Sequence, residues 1–131
     1  MKKLFPLFLL PLLLTACGEK KSASAEYRQI SMSEAADMME TETGYILLDV
    51  RTQAEFDQAH IPGALCIPNE TIGTDEIPAL PDKNQLILVY CRSGNRSKQA
   101  AEKLAQLGYT NIVEFGGINT WTGETVSGSE G

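Results

Sequence analysis

One cysteine stands in a setting that favours nucleophilic chemistry. Cys91 follows the apolar run Leu86–Tyr90 and precedes a polar loop that holds one glycine and two arginines, Arg92 and Arg96. An amphipathic helical pattern then runs from about Ser97 to Leu107. A thiol at the end of a strand, facing a helix amino terminus and flanked by cations, has its pKa lowered from the free value of about 8.5. We therefore interpret Cys91 as a nucleophile in an anion-binding loop.

The elements that must position this loop are short strands alternating with helices. Tyr45–Val50 is a near-continuous apolar run, the pattern of a parallel strand buried on both faces. Four further short runs predict strands, at Tyr27–Ile30, Leu65–Ile67, Leu86–Tyr90 and Asn111–Phe115. The alternation predicts an α/β fold with a small, mainly parallel sheet of about five strands, flanked by short helices on both faces.

Capping signals indicate where the helices begin. Ser31–Glu34 and Thr52–Glu55 fit capping boxes, and Thr74–Glu76 is interpreted as the cap of a brief helix before Pro81. Gly108 fits the left-handed residue that ends the helix after the cysteine loop. Gly116-Gly117 is expected to break the last strand, and Ile118–Thr122 to form a closing turn.

The first residues predict export and lipidation. A basic start, Met1-Lys2-Lys3, precedes the apolar run Leu4–Leu14, which is shorter than the roughly 20 residues of a membrane helix. Leu14-Thr15-Ala16-Cys17 resembles the lipobox of bacterial lipoproteins, in which the cysteine is lipidated and becomes the mature terminus. The alternatives are a plain signal peptide with an incidental cysteine, or a short buried helix.

These segments define the expected domain organisation. Residues 1–16 are the predicted lipoprotein signal peptide, 17–26 a lipidated cysteine with a flexible tether, 27–125 the folded domain and 126–131 a polar tail. We expect an extracytoplasmic protein held at the membrane by the lipid on Cys17. By resemblance to lipoproteins, Gly18 rather than aspartate after the cysteine indicates a periplasmic, outer-membrane location if the cell is Gram-negative.

Charge and ligand counts exclude other classes of function. Loss of Lys2 and Lys3 would lower the Lys and Arg count from 11 to 9 against 17 Asp and Glu, giving a net charge of −8. An acidic surface argues against a nucleic-acid partner. The chain has one histidine, His60, and no CxxC motif, so no zinc or iron–sulfur site and no cofactor is predicted.

Several motifs in the right order resemble a single-domain rhodanese. The pattern comprises Asp49-Val50-Arg51 with Glu55-Phe56, then His60-Ile61-Pro62-Gly63-Ala64, Cys91-Arg92-Ser93-Gly94-Asn95-Arg96-Ser97, Gly108-Tyr109-Thr110-Asn111, and Gly116-Gly117-Ile118 with Trp121. The resemblance covers roughly residues 27 to 121. It implies sulfane-sulfur transfer, in which Cys91 takes sulfur from a small anionic donor such as thiosulfate, becomes a persulfide and passes the sulfur to cyanide or a thiol. A protein thiol is a further candidate acceptor.

The loop residues suit that chemistry. The backbone N–H groups of the loop and the helix amino terminus are expected to hold the thiolate, the persulfide and the donor. The predicted substrate-binding residues are Arg92, Ser93, Gly94, Asn95 and Arg96, with both arginines on the donor oxygens. Cysteine-dependent phosphatases, including those that share the rhodanese fold, carry a C-x5-R loop. Here four residues separate Cys91 from Arg96, which favours sulfur transfer over phosphate hydrolysis.

Other chemical residues have less specific interpretations. Asp49 and Arg51 are predicted to fix loops, with Arg51 able to pair with Glu55, and His60 to stabilise a turn by hydrogen bonding. Cys66 is either a small core residue or a resolving thiol for Cys91. Two other functions therefore stay open: a non-catalytic sulfur-delivery or partner-binding module, and a thiol redox protein that uses Cys66 with Cys91.

Overall fold

Five parallel strands form one sheet in the order β1-β5-β4-β2-β3 in a computed structural model that describes residues 26–129. The strands are β1 (Arg28–Gln29), β2 (Ile46–Asp49), β3 (Leu65–Cys66), β4 (Ile87–Cys91) and β5 (Ile112–Gly117). The helices are α1 (Met32–Thr41), α2 (Gln53–Gln58) and α3 (Asn95–Gln106), with 3₁₀ turns at Asn69–Thr71 and Ile118–Thr120. The predicted signal peptide, Cys17 and the tether up to residue 25 lie outside the described residues.

The helices cover both faces of the sheet, which confirms the predicted α/β architecture. Ala100, Ala101 and Leu104 of α3 pack on one face with Val89 and Cys91 of β4. On the opposite face, α1 and α2 pack against β4 and β5; their contacts include Ala35, Met38, Phe56, Leu88 and Val113. Because successive side chains of a strand point to opposite faces, Cys91 lies on the α3 side and Tyr90 on the other.

Local capping agrees with the sequence at two helices. Thr52 caps α2 with a complete capping box, in which its side chain accepts from the Glu55 N–H and Glu55 accepts from the Thr52 N–H. Ser31 caps α1 by accepting from the Glu34 N–H at 3.1 Å. Gly108 has a φ of 98°, the left-handed conformation expected just after α3.

The predicted helix at Thr74–Glu76 is wrong. The chain there forms bends, and the only helical turn between β3 and β4 is the 3₁₀ segment Asn69–Thr71. Pro78 and Pro81 supply no backbone N–H, so a capping signal placed this close to them has no run of donors with which to continue a helix.

The end of β5 also differs from the expectation. The strand continues through Gly116 and Gly117, which were expected to break it. Gly116 has a φ of 95°, and the pairing shifts from Val89 opposite Glu114 to Cys91 opposite Gly117. This is a β-bulge next to the cysteine, and a glycine accommodates its left-handed residue.

The backbone after residue 125 joins the domain. Val126 forms an isolated antiparallel bridge with His60, donating to and accepting from it at 2.9 and 2.8 Å. The N–H of Gly128 donates to the carbonyl of Asp57 at 2.8 Å. Residues 126–128, predicted to be a polar tail, are therefore hydrogen-bonded to α2 and the turn that follows it. Within residues 26–129, no helix is long and apolar enough to cross a membrane.

Candidate active site

Cys91 ends the central strand β4, and its sulfur lies in a cradle of hydrogen-bond donors. Its side chain is almost fully buried. The N–H of Gly94 donates to Sγ at 2.9 Å, and the Ser97 hydroxyl lies 3.4 Å from Sγ. The same hydroxyl lies 3.0 Å from the Gly94 carbonyl, so Ser97 links the sulfur to the loop that surrounds it.

These donors make the thiol more acidic. Burial acts to raise the pKa of Cys91, but hydrogen bonds from the Ser97 hydroxyl and from the N–H groups of Ser97, Gly94 and Ser93 outweigh it and lower the pKa below its usual value. From the sequence, part of the lowering of the Cys91 pKa was expected to come from the two arginines. In the structure the hydrogen bonds contribute most to the lowering of the Cys91 pKa, and Arg96 also interacts electrostatically with the thiolate.

Two glycines let the loop close this tightly. Gly94 precedes α3 with a φ of 106°, which turns its N–H towards the sulfur. Gly117 of β5 lies directly behind the loop, where a Cβ atom would come 2.0 Å from the Arg92 carbonyl oxygen and 2.5 Å from the Ser93 nitrogen. The N–H of Asn119 donates to that same carbonyl at 3.2 Å. The strand end and the turn after it therefore support the loop from behind.

The two loop arginines have different surroundings, which the sequence did not predict. Arg96 makes a two-pronged ion pair with Glu55 of α2, with N–O distances of 2.7 and 3.0 Å. Arg92 is exposed, and within residues 26–129 its side chain has no hydrogen-bond or ion-pair partner. The expectation that both arginines bind donor oxygens stays a prediction; of the two, only Arg92 has a guanidinium with no side-chain partner within residues 26–129.

Asp49 and Arg51 fix the loop after β2, in agreement with their interpretation. Their side chains form a buried ion pair with an N–O distance of 2.6 Å, and Arg51 also donates to the Ala59 carbonyl at 2.6 Å. The pairing of Arg51 with Glu55 is wrong, because Asp49 lies closer to the guanidinium along the same backbone turn and Glu55 is taken by Arg96.

His60 has the structural role expected of it. Its Nδ1 lies 2.8 Å from the Phe56 carbonyl, and its ring stacks on the Phe56 ring with centroids 3.7 Å apart. The residue is fully buried, which removes it from contact with a substrate in this conformation. Its Nε2 is the one buried side-chain nitrogen or oxygen within residues 26–129 that lacks a hydrogen-bond partner.

Cys66 and Cys91 are not positioned to form a disulfide. Strand β2 lies between them, with Asp49 opposite Cys66 of β3 on one side and opposite Tyr90 of β4 on the other, so two strand spacings of about 4.8 Å separate β3 from β4. A disulfide needs Cα atoms within about 7 Å. The two side chains also pack on opposite faces. Burial raises the pKa of Cys66 to about 11, the opposite direction from Cys91.

A shallow groove of about 310 Å³ adjoins the loop. It is bounded by α2, by the loop and by the turn after β5; its lining residues are Arg51, Glu55, Gln58, Ala59, Arg92, Ile118 and Asn119. The groove offers a reactant the open guanidinium of Arg92 and two neutral amides. In the part of the chain described, no group of three or more His, Cys, Asp or Glu side chains is placed to hold a metal ion.

One buried carboxyl near the site was not anticipated. Glu114 of β5 is 2 % exposed on the same face as Cys91, and it accepts from the Gly116 N–H at 3.2 Å. Burial raises the pKa of Glu114 above its usual value. The hydrogen bond between Glu114 and Gly116 spans the β-bulge, and the bulge places Gly117 against the loop. An acidic residue within an apolar strand run, two positions before Gly-Gly, was the available sequence signal.

Comparison with known proteins assigns this arrangement to a family. A family model of the rhodanese-like domain matches residues 31–124, which include every strand and helix after β1. The chain belongs to the rhodanese family. Its rhodanese domain is 39% identical over 71 residues to the thiosulfate sulfurtransferase PspE of Escherichia coli, covering 54% of this chain and 68% of that one. It is 31% identical over 96 residues to the thiosulfate sulfurtransferase GlpE of Coxiella burnetii, covering 72% and 87%.

Solved structures give the same assignment. A rhodanese with anions from E. coli matches with a TM-score of 0.59 and 36% identity, covering 64% of this chain and 99% of that one. The rhodanese-like domain of the Alr3790 protein from Anabaena matches with a TM-score of 0.70 and 26% identity, covering 79% and 82%. The recognised fold and the sulfurtransferase relatives together support sulfur transfer as the general activity of this rhodanese.

Proposed function

We propose that this rhodanese transfers sulfane sulfur through a persulfide on Cys91. The observation that carries the proposal is the cradle at the end of β4, where hydrogen bonds lower the pKa of a buried thiol. A thiolate is the nucleophile that attack on a sulfane sulfur requires. The same donors suit the charge that the outer sulfur of a persulfide carries.

The transfer balances in two steps. The Cys91 thiolate attacks the outer sulfur of thiosulfate, a new S–S bond forms, the donor S–S bond breaks, and sulfite leaves with the electron pair. Cyanide or a thiolate then attacks the outer sulfur of the persulfide, and Cys91 leaves as the thiolate that began the cycle. No net oxidant or reductant is needed.

Donor binding is assigned mainly to Arg92 and to the loop N–H groups. Arg92 borders the groove with an open guanidinium, whose paired N–H donors fit the oxygens of a sulfonate-like group. Ser93, Gly94 and Asn95 complete the loop, and the N–H of Ser93 is among the donors that act on the sulfur.

Phosphate hydrolysis is the closest competing chemistry, and the loop argues against it. Four residues separate Cys91 from Arg96, one fewer than in the C-x5-R loop of cysteine-dependent phosphatases. The Arg96 guanidinium is moreover bound to Glu55 through two nitrogens, which leaves fewer of its donors for a phosphate.

We further propose that the protein acts outside the cytoplasm, anchored through a lipid on Cys17. The basic and apolar start and the Leu14-Thr15-Ala16-Cys17 sequence support this location. Metabolic labelling with a fatty acid tests it: the wild-type chain should take up label and fractionate with membranes, and Cys17→Ser should do neither. Label on the Cys17→Ser variant would contradict the anchor.

A turnover assay tests the activity. The purified protein should release thiocyanate from thiosulfate and cyanide, and Cys91→Ser should abolish release. Cys66→Ser is the matched control, because it removes a thiol from the opposite face of the sheet, and it should retain at least half of the wild-type rate. Equal loss in both cysteine variants, or hydrolysis of a phosphoester by the wild type, would refute the assignment. No turnover despite a stable persulfide would favour a sulfur-delivery module.

A further inference from the structure

We propose that Glu55 is a specificity-determining residue: by pairing with Arg96, it withholds one of the two loop cations from the anionic sulfur donor. The inference rests on the proposed function of the Cys91 loop. It concerns a residue on α2, 36 positions before the cysteine, that no loop motif includes.

The pair is held in place on both sides. Glu55 Oε1 and Oε2 accept from the two terminal nitrogens of Arg96 at 2.7 and 3.0 Å. Oε1 also accepts from the Thr52 hydroxyl at 3.1 Å and from the Thr52 N–H at 3.4 Å. The carboxylate is therefore fixed by the cap of α2, while the guanidinium is fixed at the start of α3. Both side chains are about a quarter exposed, so water screens the pair only in part.

The pair persists across neutral pH. Hydrogen bonds from Arg96, and after them those from Thr52, lower the pKa of Glu55 to about 2. Burial acts in the opposite direction but does not outweigh them. A carboxyl with a lowered pKa loses its charge only as the pH falls through that low value. At working pH the charge of Arg96 is consequently balanced.

The cysteine loop and the groove that adjoins it then present one unbalanced cation. Arg51, which lines the groove, is balanced by Asp49, and Arg96, in the first turn of α3, is balanced by Glu55. Arg92 alone among these three has no partner within residues 26–129. A donor with two negative charges, such as thiosulfate, is thus held less strongly than two free arginines would hold it. The site is therefore tuned towards donors of lower charge.

Glu55→Gln separates charge from structure. Glutamine serves at the third helical position of a capping box as glutamate does, so α2 should keep its cap while Arg96 loses its counter-charge. Glu34→Gln is a matched control: Glu34 has the same place in α1, where it accepts from the Ser31 hydroxyl at 3.1 Å, and it has no ion-pair partner within the described residues.

The test is alkylation of Cys91 in the full chain by iodoacetate, an anion, and by iodoacetamide, its neutral counterpart. Modification is quantified on the peptide that contains Cys91, which excludes Cys66. Both reagents react with the thiolate, so the ratio of their rates does not depend on the thiolate fraction. The ratio therefore reports the electrostatic field at Cys91. Glu55→Gln should raise the ratio by about three- to tenfold, the effect of one uncovered charge near a protein surface. Glu34→Gln should leave it unchanged.

A double variant completes the test. Glu55→Gln with Arg96→Gln removes both charges, and the ratio should return to within about twofold of the wild type because the pair contributes almost no net charge. A ratio that does not rise in Glu55→Gln, or that rises equally in Glu34→Gln, overturns the inference. A double variant that keeps the raised ratio also overturns it.

The outcomes separate this inference from the proposed function. A wild-type protein that forms a persulfide but shows no response to Glu55→Gln refutes only the masking of Arg96. A rise in the alkylation ratio without any persulfide refutes sulfur transfer and leaves the masking in place. Where both hold, the KM for thiosulfate should fall in Glu55→Gln by a similar factor.

Discussion

Replacement of Gly117 by alanine tests whether the strand end behind the loop holds the sulfur cradle in place. A Cβ atom at Gly117 would meet the Arg92 carbonyl oxygen at 2.0 Å, its carbon at 2.3 Å and the Ser93 nitrogen at 2.5 Å. All three are backbone atoms, so no side chain can rotate away. Restoring an ordinary contact of 3.4 Å to the oxygen requires a shift of about 1.4 Å between β5 and the loop.

The shift should reduce both the activity and the stability of the protein. A displacement of about 1 Å at a reacting centre costs on the order of a hundredfold in rate. Ser93 supplies one of the N–H groups that lower the Cys91 pKa, so its movement also raises that pKa and reduces the thiolate present at neutral pH. Overpacking at this point should cost about 1–3 kcal/mol of unfolding free energy.

The assay compares Gly117→Ala with Gly73→Ala. A Cβ atom at Gly73 would meet nothing within 4 Å, and the residue has no left-handed φ, so its replacement should change neither quantity. Denaturant unfolding first establishes the folded fraction, and the rate of thiocyanate release is then measured on folded protein. A Gly117→Ala rate within about threefold of the Gly73→Ala rate would refute the packing argument.

Three further predictions follow from the site. Ser97→Ala removes a hydrogen bond to the thiolate and should raise the Cys91 pKa, so the pH midpoint of iodoacetamide alkylation moves upward; an unmoved midpoint would contradict the cradle. Asp49→Asn leaves the Arg51 charge buried without its partner and should cost about 3–5 kcal/mol in denaturant unfolding, whereas a loss below about 1 kcal/mol would show the pair to be dispensable. Diamide oxidation should give no disulfide between Cys66 and Cys91 in the native protein, as read from the masses of proteolytic peptides, and such a disulfide would require a large movement of β2.

The fold could be predicted because its signals are local. Apolar runs and capping boxes lie within a few residues of the elements they specify, and the Thr52 cap appears as the sequence indicated. The helix expected at Thr74–Glu76 does not form, although its capping signal is equally local. A capping signal states only where a helix can begin, and the nearby prolines prevent its continuation.

The position of the cysteine loop could also be predicted from the sequence, whereas the residues that hold the loop in place could not. Cys91 and its loop are contiguous, so their placement between β4 and α3 follows from the strand and helix patterns. Glu55 and Arg96 are 41 residues apart, and they become partners only because β2 and β4, the strands that precede α2 and α3, are neighbours in the sheet. The contact of Gly117 with the Arg92 carbonyl likewise depends on a bulge whose register no periodic pattern encodes.

The most direct test of the account is the mass of the protein after exposure to thiosulfate. The wild-type chain should gain the mass of one sulfur atom, located on the peptide that contains Cys91 and removed by cyanide. Cys66→Ser should gain the same mass, and Cys91→Ser should gain none. Sulfur bound to Cys66, or a wild-type chain that remains unchanged, would contradict sulfur transfer through Cys91.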